Sequence, residues 1–252
     1  GLTDCNRCMT ARRIFSLIWR AAFASVAASV LVVLVLRFAP PLTSAFMIER
    51  RLERITDGDF TTPNAYDWVP LERIAPHAAI AVIASEDQLF PFHAGFDFKS
   101  IREAIRYNAR GRKVRGASTI SQQVAKNVFL WSGRSYVRKG LEAWFTVLVE
   151  FLWPKERILE VYLNVAEFGP GTYGVEAASR KFFRKPASRL TRREAATLAA
   201  VLPSPARLHA EAPSAYVQRR IEFIMGQMRA LGGESYLRQL GDDEPSRAQP
   251  GS

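Results

Sequence analysis

Twenty-three residues from Ile14 to Leu36 constrain this chain more than anything that follows them. They are apolar or small, with Arg20 the one charge near their start. At about 1.5 Å of rise per residue, a helix over this stretch spans the roughly 30 Å hydrocarbon core of a bilayer. The sequence therefore predicts a single transmembrane helix over residues 14–36. Arg7, Arg12, Arg13 and Arg20 precede the uncharged run Ala21–Leu36 against one acid, Asp4, so the positive-inside rule predicts a cytoplasmic N-terminus and an exported remainder. A cleaved signal peptide is the competing reading. It calls for a shorter apolar run of about 7–15 residues and an A-x-A cleavage site, which Ala39-Pro40-Pro41 does not supply.

The chain of 252 residues carries a formal net charge of +11, which points to a polyanionic partner: nucleic acid, anionic lipid or a pyrophosphate. Export argues against nucleic acid. Cys5 and Cys8 form a C-x-x-C ahead of the apolar helix, with no second pair to complete a metal site and no βαβ context for redox chemistry. Met9 stands directly after them as an alternative first residue. Past residue 8 there is no cysteine, so the rest folds without disulfides.

The expected organisation is a cytoplasmic tail (1–13), the membrane helix (14–36), a juxtamembrane linker with an amphipathic helix near Phe46–Ile55 (37–67), a globular domain (68–231) and a polar tail (232–252). An apolar run from Ala81 delivers the paired acids Glu86-Asp87 to a turn holding Leu89, Phe90, Phe92, His93 and Gly95. Desolvation by those aromatics raises a glutamate toward the range of a general base, whereas a capped helix end with solvated acids is the plainer reading. Arg110, Arg112, Lys113 and Arg115 make a cationic loop. Ser118 or Thr119 is an N-cap candidate, Gln122 stands near the capping-box position, and Ser121 and Gln123 add uncharged hydrogen-bonders, followed by Lys126 and Asn127. Leu141, Trp144, Phe145, Leu148 and Leu152 recur at helical spacing as a core face, with Glu142 on its border four residues after Arg138. Pro154 ends that helix, and another starts at Lys155. With no internal repeat and little strand alternation, the domain is expected to be mainly α.

Four signatures stand in order: Glu86-Asp-x-x-Phe-x-x-His93-x-Gly-x-Asp97, Gly116-x-Ser-Thr-x-x-Gln-Gln123-x-x-Lys-Asn127, Arg138-Lys-x-x-Glu142 and Lys155-x-x-Ile-Leu-Glu-x-Tyr-Leu-Asn164. Together they resemble the bacterial peptidoglycan glycosyltransferases, which polymerise glycan strands from lipid II. Within these residues there is no S-x-x-K or K-T-G, so the resemblance narrows to the monofunctional biosynthetic transglycosylases rather than the penicillin-binding proteins. It implies a lysozyme-like domain with a smaller membrane-facing jaw, anchored in the inner membrane with the catalytic domain in the periplasm.

The resemblance also assigns roles. Glu86 matches the general base and Glu142 the second site glutamate. Lys126, Arg134, Arg138, Lys139 and Lys155 fall at positions suited to the leaving pyrophosphate, and Ser118, Thr119, Gln122 and Gln123 to sugar or phosphate oxygens. Asp87, His93 and Asn127 are expected to support the site. Carboxylate and phosphate oxygens would favour Mg²⁺ or Mn²⁺ there, with no organic cofactor. Expected partners are lipid II, the growing strand, the bilayer, and division or elongation proteins. The rival readings are a membrane-anchored lytic muramidase and a non-catalytic adaptor of the cell-wall machinery.

Overall fold

A computed structural model describes residues 2–60, 63–108, 118–133 and 135–241. The cationic residues 110–115 and Arg134 singled out from the sequence lie outside them. The chain divides into two compact units, Gly1–Ala39 and Pro40–Ser252. The first is one helix, α1 (Leu2–Phe38), whose Trp19, Phe23, Leu31 and Val35 are exposed. Residues Phe15–Phe38 are long and apolar enough to cross a membrane, which agrees with the predicted anchor.

The second unit is built from helices α2 (Ala45–Thr56), α3 (Pro76–Glu86), α4 (Phe98–Asn108), α5 (Ile120–Phe129), α6 (Tyr136–Leu152), α7 (Lys155–Val165), α8 (Val175–Phe183), α9 (Arg192–Val201) and α10 (Ala215–Ala230). A small sheet of order β1-β3-β2 joins them: β1 (Ala65–Tyr66) runs parallel to β3 (Thr172–Tyr173), and β2 (Glu167–Gly169) runs antiparallel to it with an irregular register. The mainly α expectation holds.

Helix α3 explains the architecture. Ala78 through Ala84 are all buried, so the helix is apolar around its whole circumference and must be enclosed. Helices α9 and α10 pack against it, as does the 3₁₀ segment Gly233–Leu240. A second group forms where α5 packs against α2, α6 and α7. Asn164 on α7 ties the domain's first residues to this group, accepting from Val69 N–H (2.9 Å) and donating to Val69 C=O (2.9 Å).

Three expectations change. The compact unit begins at Pro40 rather than at Trp68, because α2 lies on α5 and β1 pairs with β3. Residues 233–240 are not a frayed tail, since Tyr236 and Leu240 are buried and the Tyr236 hydroxyl donates to Gln88 C=O at 2.5 Å. The buried face of α6 is Glu142, Thr146, Leu148 and Val149, while Trp144, Val147 and Phe151 are exposed. Helix α6 is apolar on both sides, so periodicity alone does not choose the inward face. The consequence is that Glu142 is enclosed instead of standing on a border.

Candidate active site

Glu86 is the last residue of α3, and there the backbone turns away: Asp87 has φ −160° and its N–H still donates to Ile83 C=O. The buried helix thus ends with its one acidic side chain at the mouth of a cleft of about 570 Å³, lined by Glu86, Ser100, Ser118, Gln123, Pro203 and Arg220. Gln123 Nε2 donates to Glu86 Oε2 at 3.0 Å, and Gln123 Oε1 accepts from the Tyr162 hydroxyl at 3.1 Å. A carboxylate only accepts, which fixes the orientation of the Gln123 amide. Burial pushes the Glu86 carboxyl above the usual glutamate range; Gln123, Arg220 and Ser85 work against that rise, and Asp87 adds to it.

The turn after Glu86 is held by Asp87 and His93. Asp87 accepts from Ile120 N–H at the start of α5 (3.0 Å) and from His93 Nε2 (2.9 Å), and Gly95 N–H donates to His93 Nδ1 (3.2 Å). Thr119 and Gln122 form a complete capping box on α5, and the Thr119 hydroxyl donates to Gly95 C=O at 2.7 Å. The Thr119 hydroxyl and Gln122 Oε1 are thereby engaged in shaping the site. Ser118 is exposed at the cleft.

A second cavity of about 360 Å³ shares Gln123 and Pro203 with the first and adds Phe46, Arg50, Lys126 and Asn127. Lys126 stands about one turn along α5 from Gln123, so the two cavities are lined from successive turns of a single helix. Burial and then the Arg138 charge push the Lys126 ammonium down; Arg50 and Lys139 also repel it, and Glu142 attracts it. Glu142 is bracketed, with Arg138 Nη1 donating to Oε2 at 2.8 Å and Lys139 donating to Oε1. Arg138 Nε is buried without a partner among the described residues. Arg50, Lys126, Arg138 and Lys139 thus outnumber Glu142 and Glu167 here, which suits a multiply charged anion.

Lys155 is placed differently from the expectation. Its ammonium donates to both oxygens of Glu150 (2.8 Å each) and to His93 C=O (2.6 Å), and it lies 4.7 Å from the Phe90 ring centroid. All its donors are committed inside the fold, so it braces the His93 turn. Arg50, Glu150, Tyr162 and Arg220 are site residues that the sequence reading passed over. Tyr162 and Glu150 lie inside or beside quoted signatures, whereas nothing local marks Arg50 or Arg220.

Among the described residues no three His, Cys, Asp or Glu side chains converge to hold a metal, and both Glu142 oxygens are taken by cations.

Residues 53–229 match the transglycosylase family. The chain is 57% identical over 227 residues to the biosynthetic peptidoglycan transglycosylase of Xanthomonas campestris pv. campestris (strain B100), covering 90% of this chain and 92% of that protein. It is 56% identical over 225 residues to the protein of the same name from Pseudomonas entomophila (strain L48), covering 89% and 93%. With that of Pseudomonas syringae pv. syringae (strain B728a) it shares 54% identity over 229 residues, covering 91% and 94%.

Proposed function

The chain belongs to the transglycosylase family and is a peptidoglycan glycosyltransferase; on that premise we propose that it polymerises lipid II into β-1,4-linked strands with Glu86 as general base. Glu86 takes the proton from the 4-hydroxyl of the acceptor N-acetylglucosamine as that oxygen attacks C1 of the strand's terminal N-acetylmuramic acid. Undecaprenyl pyrophosphate leaves from the opposite face. One displacement turns the α linkage into β, so no sugar–enzyme intermediate is needed.

The observation that carries this reading is that two cavities sharing Gln123 and Pro203 hold a buried, upward-shifted carboxyl in one and Lys126 with its cationic neighbours at the other. A base raised above the usual glutamate range meets the acceptor, while fixed positive charge offsets the charge that develops on the pyrophosphate. Each Glu142 oxygen accepts from a neighbouring cation, and we assign the residue to orienting Arg138 and Lys139. The cationic cluster argues against a lytic muramidase, which has no diphosphate to release.

We also propose that α1 anchors the enzyme in the inner membrane with its N-terminus in the cytoplasm, from the excess of arginine before Ala21. The exposed Trp144, Val147 and Phe151 on α6 suit contact with the same bilayer.

The test is incubation of the full chain in detergent with labelled lipid II, with and without moenomycin. Moenomycin-sensitive polymer that lysozyme digests is the expected product. Release of sugar fragments from purified sacculi, with lipid II left untouched, would contradict the proposal.

A further inference from the structure

Arg220 enters the cleft from α10, the helix packed on α3 and α9, and so reaches Glu86 from a different wall than Gln123 on α5. Its Nη2 lies 3.7 Å from Glu86 Oε1. That is beyond the roughly 2.7–3.2 Å of an N–H···O hydrogen bond, so the charges attract without Arg220 filling an Oε1 lone pair. Arg138 makes the contrast: at 2.8 Å its Nη1 donates a hydrogen bond to Glu142 Oε2, while Lys139 donates to Oε1. On Glu86 the other oxygen is already taken by Gln123, and Oε1 has only a long 3.4 Å contact from the Ser85 hydroxyl.

The guanidinium is not a solvated bystander. Its side chain is 24% exposed, and its Nε is buried with no partner among the described residues, a costly placement for a charged group. The groups facing Glu86 are Ser85 and Asp87 from its own helix and turn, Gln123 from α5, Tyr162 from α7 and Arg220 from α10. Of these described groups, Arg220 carries the positive charge.

We propose that Arg220 is the positioning residue of the base: it holds Glu86 as an oriented carboxylate while leaving Oε1 open to the acceptor hydroxyl. The inference rests on Glu86 being the base. Burial alone would keep the carboxyl protonated to higher pH, and the nearby cation offsets part of that effect, so its removal moves the titration upward.

Initial rates of lipid II consumption by the full chain, measured across the acid to alkaline range, test this. Arg220→Gln is expected to move the acid limb of kcat/KM to higher pH, with roughly tenfold loss on the limb and recovery toward the wild-type rate at alkaline pH. Arg220→Lys retains the charge and is expected to keep the limb near its original position. Arg220→Met, which also removes the unpaired Nε, replaces the glutamine variant if that one does not fold. A neutral variant whose rate falls equally at every pH, with the limb unmoved, overturns the inference. Glu86→Gln run in parallel separates the two claims. Near-normal polymerisation by it would remove the base itself, whereas an inactive Glu86→Gln beside an unmoved limb would remove only Arg220.

Discussion

Replacing Asp87 by alanine tests whether the turn after Glu86 is held as described. Gly95 N–H donates to His93 Nδ1, so that nitrogen is unprotonated and Nε2–H donates to the Asp87 carboxylate. The same carboxylate accepts from Ile120 N–H, one of the unpaired amides at the start of α5. Asp87 is 7% exposed and Ile120 is fully buried, so water does not replace the lost acceptor. A hydrogen bond to a charged group contributes roughly 1.5–3 kcal/mol, and losing two together costs about 3–5 kcal/mol. With an unfolding entropy of about 2.1 cal/mol/K per residue over roughly 200 residues, the Tm falls by about 10 °C. Thermal unfolding of the full chain in detergent, followed by circular dichroism, reads this directly. Asp87→Asn is expected to lose nearly as much, because its amide NH₂ would meet His93 Nε2–H. A Tm within about 3 °C of wild type for the alanine variant would refute the argument.

Lys155→Met leaves Glu150 charged and unpaired inside the protein and is expected to cost about 3–5 kcal/mol, with a small effect on KM for lipid II; a large KM increase at unchanged stability in denaturant titration would return Lys155 to substrate binding. Gly95 has φ +83°, and a Cβ there would come within 2.7 Å of Thr146 Cγ2 and 2.9 Å of Glu150 Cγ, so Gly95→Ala is expected to lose about 2–4 kcal/mol by the same titration. The raised carboxyl of Glu86 makes a pH-dependent prediction. Its folded-state pKa lies above the unfolded one, so the cost of burying the charge is fully present above the folded value and absent below the unfolded value. Glu86→Gln should therefore be more stable than wild type at neutral pH, with the difference closing as the solution is acidified; equal stability at both ends of the range would contradict the shift.

The sequence exposed those features whose causes are local. An apolar run with Arg20 as its one charge announced α1, Pro154 marked the break before α7, and the Thr119–Gln122 spacing announced a cap that is present as a full capping box. Glu86 was legible because an enclosed helix ends on it beside aromatics. Pairings across the fold were not legible. Lys155 meets Glu150 across a helix break, where i,i+4 reasoning does not apply, and its family position suggested a ligand role that its committed donors do not support. Arg220 comes from a helix far along the chain and looks there like any other surface arginine. The strands β1 and β3 are two residues each, too short for alternation to show, and so the start of the compact unit was placed too late. Tyr236 stands in a Gly- and charge-rich stretch whose composition resembles a tail, although its ring and hydroxyl close against Phe92 and Gln88.

The central claim is that a single carboxylate at the end of α3 removes the acceptor proton. The most direct measurement is the initial rate of polymer formation from labelled lipid II by wild type and by Glu86→Gln, both confirmed folded by their unfolding transitions. Loss of the base predicts a fall of at least about 10²-fold in the variant. Polymerisation within a few fold of wild type would contradict the account and move the base elsewhere in the cleft.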